Sequence, residues 1–145
     1  MNIKEALKSY NSLEVNISIA EEEIEELQSQ IYNLQSTKLD GMPKPQGYSK
    51  SQLEEQICNV QEQINQKQKY INKLKNKIKV IQDLVKTLKK YNQDIISMRY
   101  FQNMNIEDIA YKKNRTYSSI QKTIKKSIKE MQKKYNEMKN STKIP

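Results

Sequence analysis

The chain has no histidine and no tryptophan, and its 145 residues hold one cysteine, one phenylalanine, two glycines and three prolines. Without histidine the usual zinc sites and every Cys-His or Ser-His nucleophile arrangement fall away, which leaves carboxylates and lysines as catalytic material. Glu107 and Asp108 form the obvious acid pair. Neighbours on a helix point in different directions, so the pair suits capping better than acid-base work. No glycine-rich loop is present to cradle a phosphate. The expectation is a protein that is not an enzyme and carries neither cofactor nor metal. Cys58 alone forms no internal disulfide and is expected to be a reduced structural thiol. No stretch approaches the roughly 18 consecutive apolar residues of a membrane span, and MNIKEALKSY lacks the apolar centre of a signal peptide. A cytoplasmic location with no membrane partner is therefore expected.

What the chain does have is helix-forming material. Hydrophobic residues make up 35% and charged residues 30%, and with aromatics at 7% any core is thin. Lys, Gln, Glu, Ile and Leu favour long helices over sheet, so the expected class is all-α. The formal net charge of +9 is unevenly spread. Residues 1–64 hold 5 lysines against 11 acids, a net of −6, while residues 65–145 hold 21 basic residues against 6 acids, a net of +15. The basic end is the candidate surface for a polyanion.

Two seven-residue repeats organise the first ninety residues. Ile3, Tyr10, Ile17, Ile24 and Ile31 fill one seam position, and Ala6, Leu13, Ala20, Leu27 and Leu34 the other. A second seam uses Ile57, Ile64, Ile71, Ile78 and Val85 with Leu53, Val60, Leu74, Ile81 and Leu88, Lys67 being the exception. These predict helices over about 2–37 and 50–90 that bury their seams as a long antiparallel coiled-coil hairpin, residues 1–90. A parallel dimer, or a hairpin that dimerises into a four-helix bundle, satisfies the same pattern. Glu21, Glu22, Glu23, Glu25 and Glu26 on the first arm are placed to face Lys67, Lys69, Lys73, Lys75 and Lys77 on the second. The loop at about 38–49, with GMPK at its centre, gathers both glycines and two prolines, and Ser49 or Ser51 is expected to cap the second helix ahead of Glu54 or Glu55.

A different module follows over residues 91–140, with 141–145 as a tail. Asn92 is expected to cap a helix over Gln93–Gln102, with Asn103 stopping it and Asn105 capping the next, Asp108 standing three residues on. Tyr100 and Phe101 are expected to be core contacts, and Tyr91 and Tyr111 to be packed or exposed, with stacking on nucleic acid as the alternative for these two. Ala110 supplies a small residue where two helices approach, Asn114 tolerates a left-handed turn, and Thr116 is a good N-cap for the last helix. This order of features is what a helix-turn-helix requires. Residues 112–134 carry nine basic residues and one acid.

Residues 98–128, MRYFQNMNIEDIAYKKNRTYSSIQKTIKKSI, resemble the fourth conserved region of bacterial sigma factors. The run RYF, Glu107-Asp108 before Ile109-Ala110, and the ladder Ile120, Ile124, Ile128 carry the likeness. Lys113 and Arg115 stand where that family has apolar residues, and Asn114 replaces its turn glycine. A charged helical hairpin followed by this module resembles phage and prophage late-transcription regulators of the ArpU and RinA type. The promoter-melting region of sigma factors has no counterpart. The resemblance implies a DNA-binding activator of late genes that works with host RNA polymerase or its sigma factor. By the same resemblance Tyr117, Ser118, Gln121 and Lys122 meet base edges, and Lys112, Lys113, Arg115, Thr116, Lys125, Lys126 and Lys129 meet phosphates. Expected partners are double-stranded DNA and further copies of the chain through the coiled coil. Two alternatives stand beside this: a small DNA-packaging subunit, and a structural coiled-coil adaptor whose basic helix binds an acidic protein.

Overall fold

The structure is a computed structural model that describes residues 1–39 and 50–141. Among them the chain is all-helical apart from short connections, with no strand: α1 (Ile3–Leu39), α2 (Lys50–Lys86), α3 (Lys90–Ile96) continuing into a π turn (Ser97–Phe101), α4 (Ile106–Lys113) and α5 (Tyr117–Ser141). The expected GMPK loop, the cap at Ser49 and the last four residues of the tail lie outside the described residues. Ser51 falls inside α2.

The chain divides into two compact units, one made of Val15–Lys75 and the other of Met1–Glu14 with Asn76–Pro145. In the first, Ala20, Ile24 and Leu27 of α1 form a buried cluster with Ile64 and Ile71 of α2, flanked by Ile17, Ile31 and Val60. All of these are seam residues of the heptad pattern. Lys67, the polar exception, forms an ion pair with Glu23, and Lys75 Nζ lies 3.6 Å from Glu21 Oε1. Going back along α1 from Glu23 to Glu21 therefore goes forward along α2 from Lys67 to Lys75. Cys58, expected as a structural thiol, is exposed.

The second unit does not begin near residue 91, where the sequence places a boundary, because the start of α1 and the end of α2 belong to it. Ile3, Leu7, Tyr10, Ile81, Leu84, Val85 and Leu88 are buried, as are Ile95, Ile96, Ile109, Ala110, Ile120, Ile124 and Met131. Leu7 and Leu84 stand outside the seam positions, so each helix turns a second apolar position inward here. Polar clasps add to the packing. Ile3 N–H donates to Gln132 Oε1 at 2.9 Å, and Gln132 Nε2 donates to the Met1 carbonyl at 3.1 Å. Asn11 Nδ2 donates to the Tyr100 carbonyl at 3.2 Å, and Lys134 Nζ to the Thr87 carbonyl at 2.9 Å.

The junction between α2 and α3 corrects the expected cap at Asn92. α2 stops at Lys86, and α3 starts at Lys90 after an extended Lys89 (φ −60°, ψ 148°) that makes no side-chain cap. Asn92 is an interior residue of α3, while Gln93 Nε2 donates to the carbonyls of Lys86 at 3.2 Å and Leu88 at 2.7 Å on the α2 side of the junction. Thr87 Oγ1 donates to the Leu84 carbonyl at 2.6 Å, closing the end of α2. A second difference follows at Ser97–Phe101, where an α-helix to Gln102 is expected and a π turn is found, with Gln102 N–H donating to the Ser97 carbonyl at 2.9 Å. The wider turn ends at Asn103, whose φ of 57° is left-handed, as its type allows.

Candidate nucleic-acid interface

The short connections of the C-terminal elements are fixed by local side-chain chemistry. Asn105 is extended (φ −75°, ψ 161°), and its Oδ1 accepts the Asp108 N–H at 2.8 Å, so α4 starts where the sequence places it. At its far end Asn114 is left-handed (φ 53°, ψ 45°). Arg115 N–H then donates to the Ala110 carbonyl at 3.0 Å and Asn114 N–H to the Tyr111 carbonyl at 3.3 Å. Thr116 Oγ1 accepts the Ser119 N–H at 3.1 Å and so starts α5. α4 and α3 both pack on α5, and Ala110 is buried where the two halves of the turn approach. Truncating the cap, Thr116→Ala, is expected to cost about 1 kcal/mol. A urea titration followed by circular dichroism measures it, and an unchanged midpoint would show that the turn holds without the cap.

Ile120, Ile124, Ser127 and Met131 of α5 are buried. The opposite side is exposed, and it carries Ser118, Gln121, Lys122, Lys125, Lys126 and Lys129, with Tyr117 at the first position. At about 100° per residue, Gln121 to Lys126 covers an arc of roughly 140°. No acid lies within it, since Glu130 falls beyond its edge. Ser118, Lys122 and Lys126, spaced by four residues along the helix, line a shallow cavity of about 370 Å³ together with Thr116, Ser119 and Thr123. Three of the four residues expected at base edges, Ser118, Gln121 and Lys122, are thus on one exposed surface with Lys125, Lys126 and Lys129, while Tyr117 is exposed beside the arc at the start of the helix.

The residues expected at phosphates before α5 are less uniform. Lys112, Arg115 and Thr116 are exposed. Lys113 is turned inward: its Nζ lies 3.5 Å from Asp94 Oδ2 and 5.6 Å from the centre of the Tyr91 ring, with 22% of its side chain exposed. Arg115 stands 5.8 Å from the same ring. Tyr91 is therefore a platform for two cations, a role its sequence context does not announce. Asp94 lies on another helix, so nothing within a turn or two of Lys113 signals the pair. A half-exposed ion pair of this kind contributes up to about 1 kcal/mol, so a phosphate can recruit Lys113 at small cost. Tyr111, beside it, is 87% exposed.

Burial pushes the Tyr100 phenol above its ordinary value of 10.0, and the neighbouring Arg99 charge pulls part of the way back. The side chain therefore stays neutral through the physiological range. A phenol that keeps its proton longer when folded than when unfolded makes stability fall as pH rises past about 10. Tyr100→Phe is expected to flatten that fall. Urea midpoints for both proteins at neutral pH and above about pH 10 test it, equal slopes being the adverse result.

Among the described residues no group of three or more His, Cys, Asp or Glu side chains could hold a metal ion, and no helix is long and apolar enough to cross a membrane. The class that the fold defines is an all-helical protein with an exposed basic face on its last helix. Comparison of the chain with family models, curated proteins and solved structures finds no match.

Proposed function

We propose that the chain is a sequence-specific DNA-binding regulator of transcription, in which α4, the Asn114–Thr116 turn and α5 act as a helix-turn-helix. The observation that carries this reading is the acid-free exposed arc on α5, beginning at a capped N-terminus that follows a left-handed Asn114. A recognition helix places the side chains of its first turns at base edges. Tyr117, Ser118, Gln121 and Lys122 occupy those turns, and the lysines that follow meet the backbone. Gln pairs with adenine and Lys with guanine O6 and N7, while phosphate contacts set affinity and register. The likeness of residues 98–128 to the fourth region of sigma factors adds the class of target, a promoter of phage late genes transcribed by host RNA polymerase.

In this reading α1 and α2 pair as an antiparallel coiled-coil hairpin that joins copies of the chain or contacts the polymerase. The burial of the seam residues and the Glu21–Lys75 and Glu23–Lys67 pairs support that arrangement. The test is selection of genomic fragments by the purified full chain at near-physiological salt, followed by sequencing of the bound DNA. Enrichment just upstream of a late operon is the expected result. Enrichment inside a packaging gene would point to a packaging subunit, and none at all would leave a protein-binding coiled coil.

A further inference from the structure

Beside the exposed arc of α5 lies a second, larger cavity of about 670 Å³, within the unit that contains Met1–Glu14 and the C-terminal elements. Its charged lining is Lys4 and Lys8 of α1, Arg99 of the π turn, and Lys125 and Lys129 of α5, with no acid among the lining residues. Tyr100, Asn103 and Gln121 add neutral polar groups. Among the described residues no carboxylate pairs with any of the four lysines. Arg99 is steadied by its own backbone, its Nη1 donating to the Met104 carbonyl at 3.1 Å. The left-handed Asn103 and the π turn shape the wall, and π turns inside helices recur at functional sites.

Five cations around one concavity repel one another, at about 1 kcal/mol for each pair at 4 Å in water and more where water is thinned. Among the described residues no carboxylate lines the cavity to offset this, so it suits a ligand that brings concentrated negative charge. Lysines act on phosphate as point charges, and arginine adds a fork of donors. Lys125 and Lys129, which line the cavity, also belong to the exposed arc, and Gln121 belongs to both as well. A duplex laid on the arc carries its backbone past the mouth of the cavity.

We infer that this cavity is a phosphate seat, in which Lys4 and Lys8 from the start of the chain join Arg99, Lys125 and Lys129 around a backbone phosphate of the DNA that α5 contacts. The inference rests on the proposed function for its source of phosphate. It adds to it a role for α1, which supplies part of the DNA-binding surface as well as a coiled-coil arm. Lys4 and Lys8 contact phosphate alone, so they set affinity and orientation and leave sequence preference untouched.

The experiment compares the wild type with the double variant Lys4→Gln, Lys8→Gln, both side chains being exposed, once circular dichroism and thermal melting show the same fold. Binding of labelled duplexes, selected and random, is measured across salt. Loss of two phosphate contacts makes the slope of log affinity against log salt shallower by about 1.8, which is about a tenfold difference in salt sensitivity between 50 and 200 mM. That change, equal on both kinds of DNA, is the expected result. An unchanged slope in a variant that still binds overturns the inference and leaves the proposed function standing. Amide resonances of both proteins are also followed while pyrophosphate alone is added. If no duplex binds the wild type, the proposed function falls and this titration decides the seat. Shifts at Lys4, Lys8 and Arg99 that vanish in the double variant keep the seat with a free phosphate compound as its source, and their absence overturns it.

Discussion

Tyr10→Ala is expected to destabilise the unit formed by Met1–Glu14 and residues 76–145 by about 3 kcal/mol or more, the scale of truncating a large buried aromatic side chain. Tyr10 is 5% exposed, and its ring centre lies 4.3 Å from that of Phe101 at an interplanar angle of 36°. Its hydroxyl accepts the Gln82 Nε2 at 2.8 Å, so one side chain on α1 meets both α2 and the π turn. Removing the ring opens a cavity, strips the chain's single phenylalanine of its aromatic neighbour and leaves the Gln82 amide without this acceptor. Aromatic pairs of this kind are worth about 0.5–1.5 kcal/mol beyond the area they bury. Tyr10→Phe separates the terms, because it keeps the ring and loses only the hydrogen bond, at about 1 kcal/mol. Urea titrations of the three proteins at one pH give the comparison. Should Tyr10→Ala prove no worse than Tyr10→Phe, the ring contact would contribute nothing and the clasp between α1 and the π turn would rest on the polar bonds alone.

That contact also explains how far the fold was legible. Tyr10 is a seam residue by spacing, and the heptad repeat alone gives it a partner on α2. What it could not give is Phe101, because a period of seven records which side of a helix is apolar and not what else covers it. Leu7 and Leu84 carried the missing signal. Each stands next to a seam residue, Ala6 and Val85, and so widens the apolar stripe where the C-terminal elements pack. Asn103, Asn105, Asn114 and Thr116 were legible because their work is local, each acting within a few residues through its own side chain or its tolerance of positive φ. Asn92 failed because α3 begins two residues before it, at Lys90, so Asn92 is an interior residue with no helix start to cap, and Lys89 at the N-cap position makes no side-chain bond. The residues of the exposed arc of α5 were named through the resemblance to the fourth region of sigma factors. The Lys113–Asp94 pair and the approach of Lys4 and Lys8 to α5 were not legible, since only packing brings those residues together.

The second large effect expected is a loss of DNA discrimination when Gln121 or Lys122 is truncated. A side chain that makes a bidentate contact to a base contributes about 1–3 kcal/mol of discrimination, so each of Gln121→Ala and Lys122→Ala should lower affinity for the selected site by about five- to 150-fold. Affinity for random duplex should fall far less for Gln121, which carries no charge, and only modestly for Lys122. Lys126→Ala provides the contrast: an exposed lysine on the outer flank of the same arc, it should weaken both kinds of DNA alike and make the salt slope shallower by about 0.9. All three side chains are exposed and outside the core, so folding is expected to survive and the binding data to report on contacts. Competition between the selected site and random DNA, repeated at two salt concentrations, separates base contact from charge. Equal losses on both DNAs for Gln121→Ala would remove base recognition from the first turns of α5 and make the arc a purely electrostatic surface. A loss confined to the selected site would fix the orientation of α5, with its capped N-terminus toward the floor of the major groove and Lys125, Lys126 and Lys129 rising along the backbone.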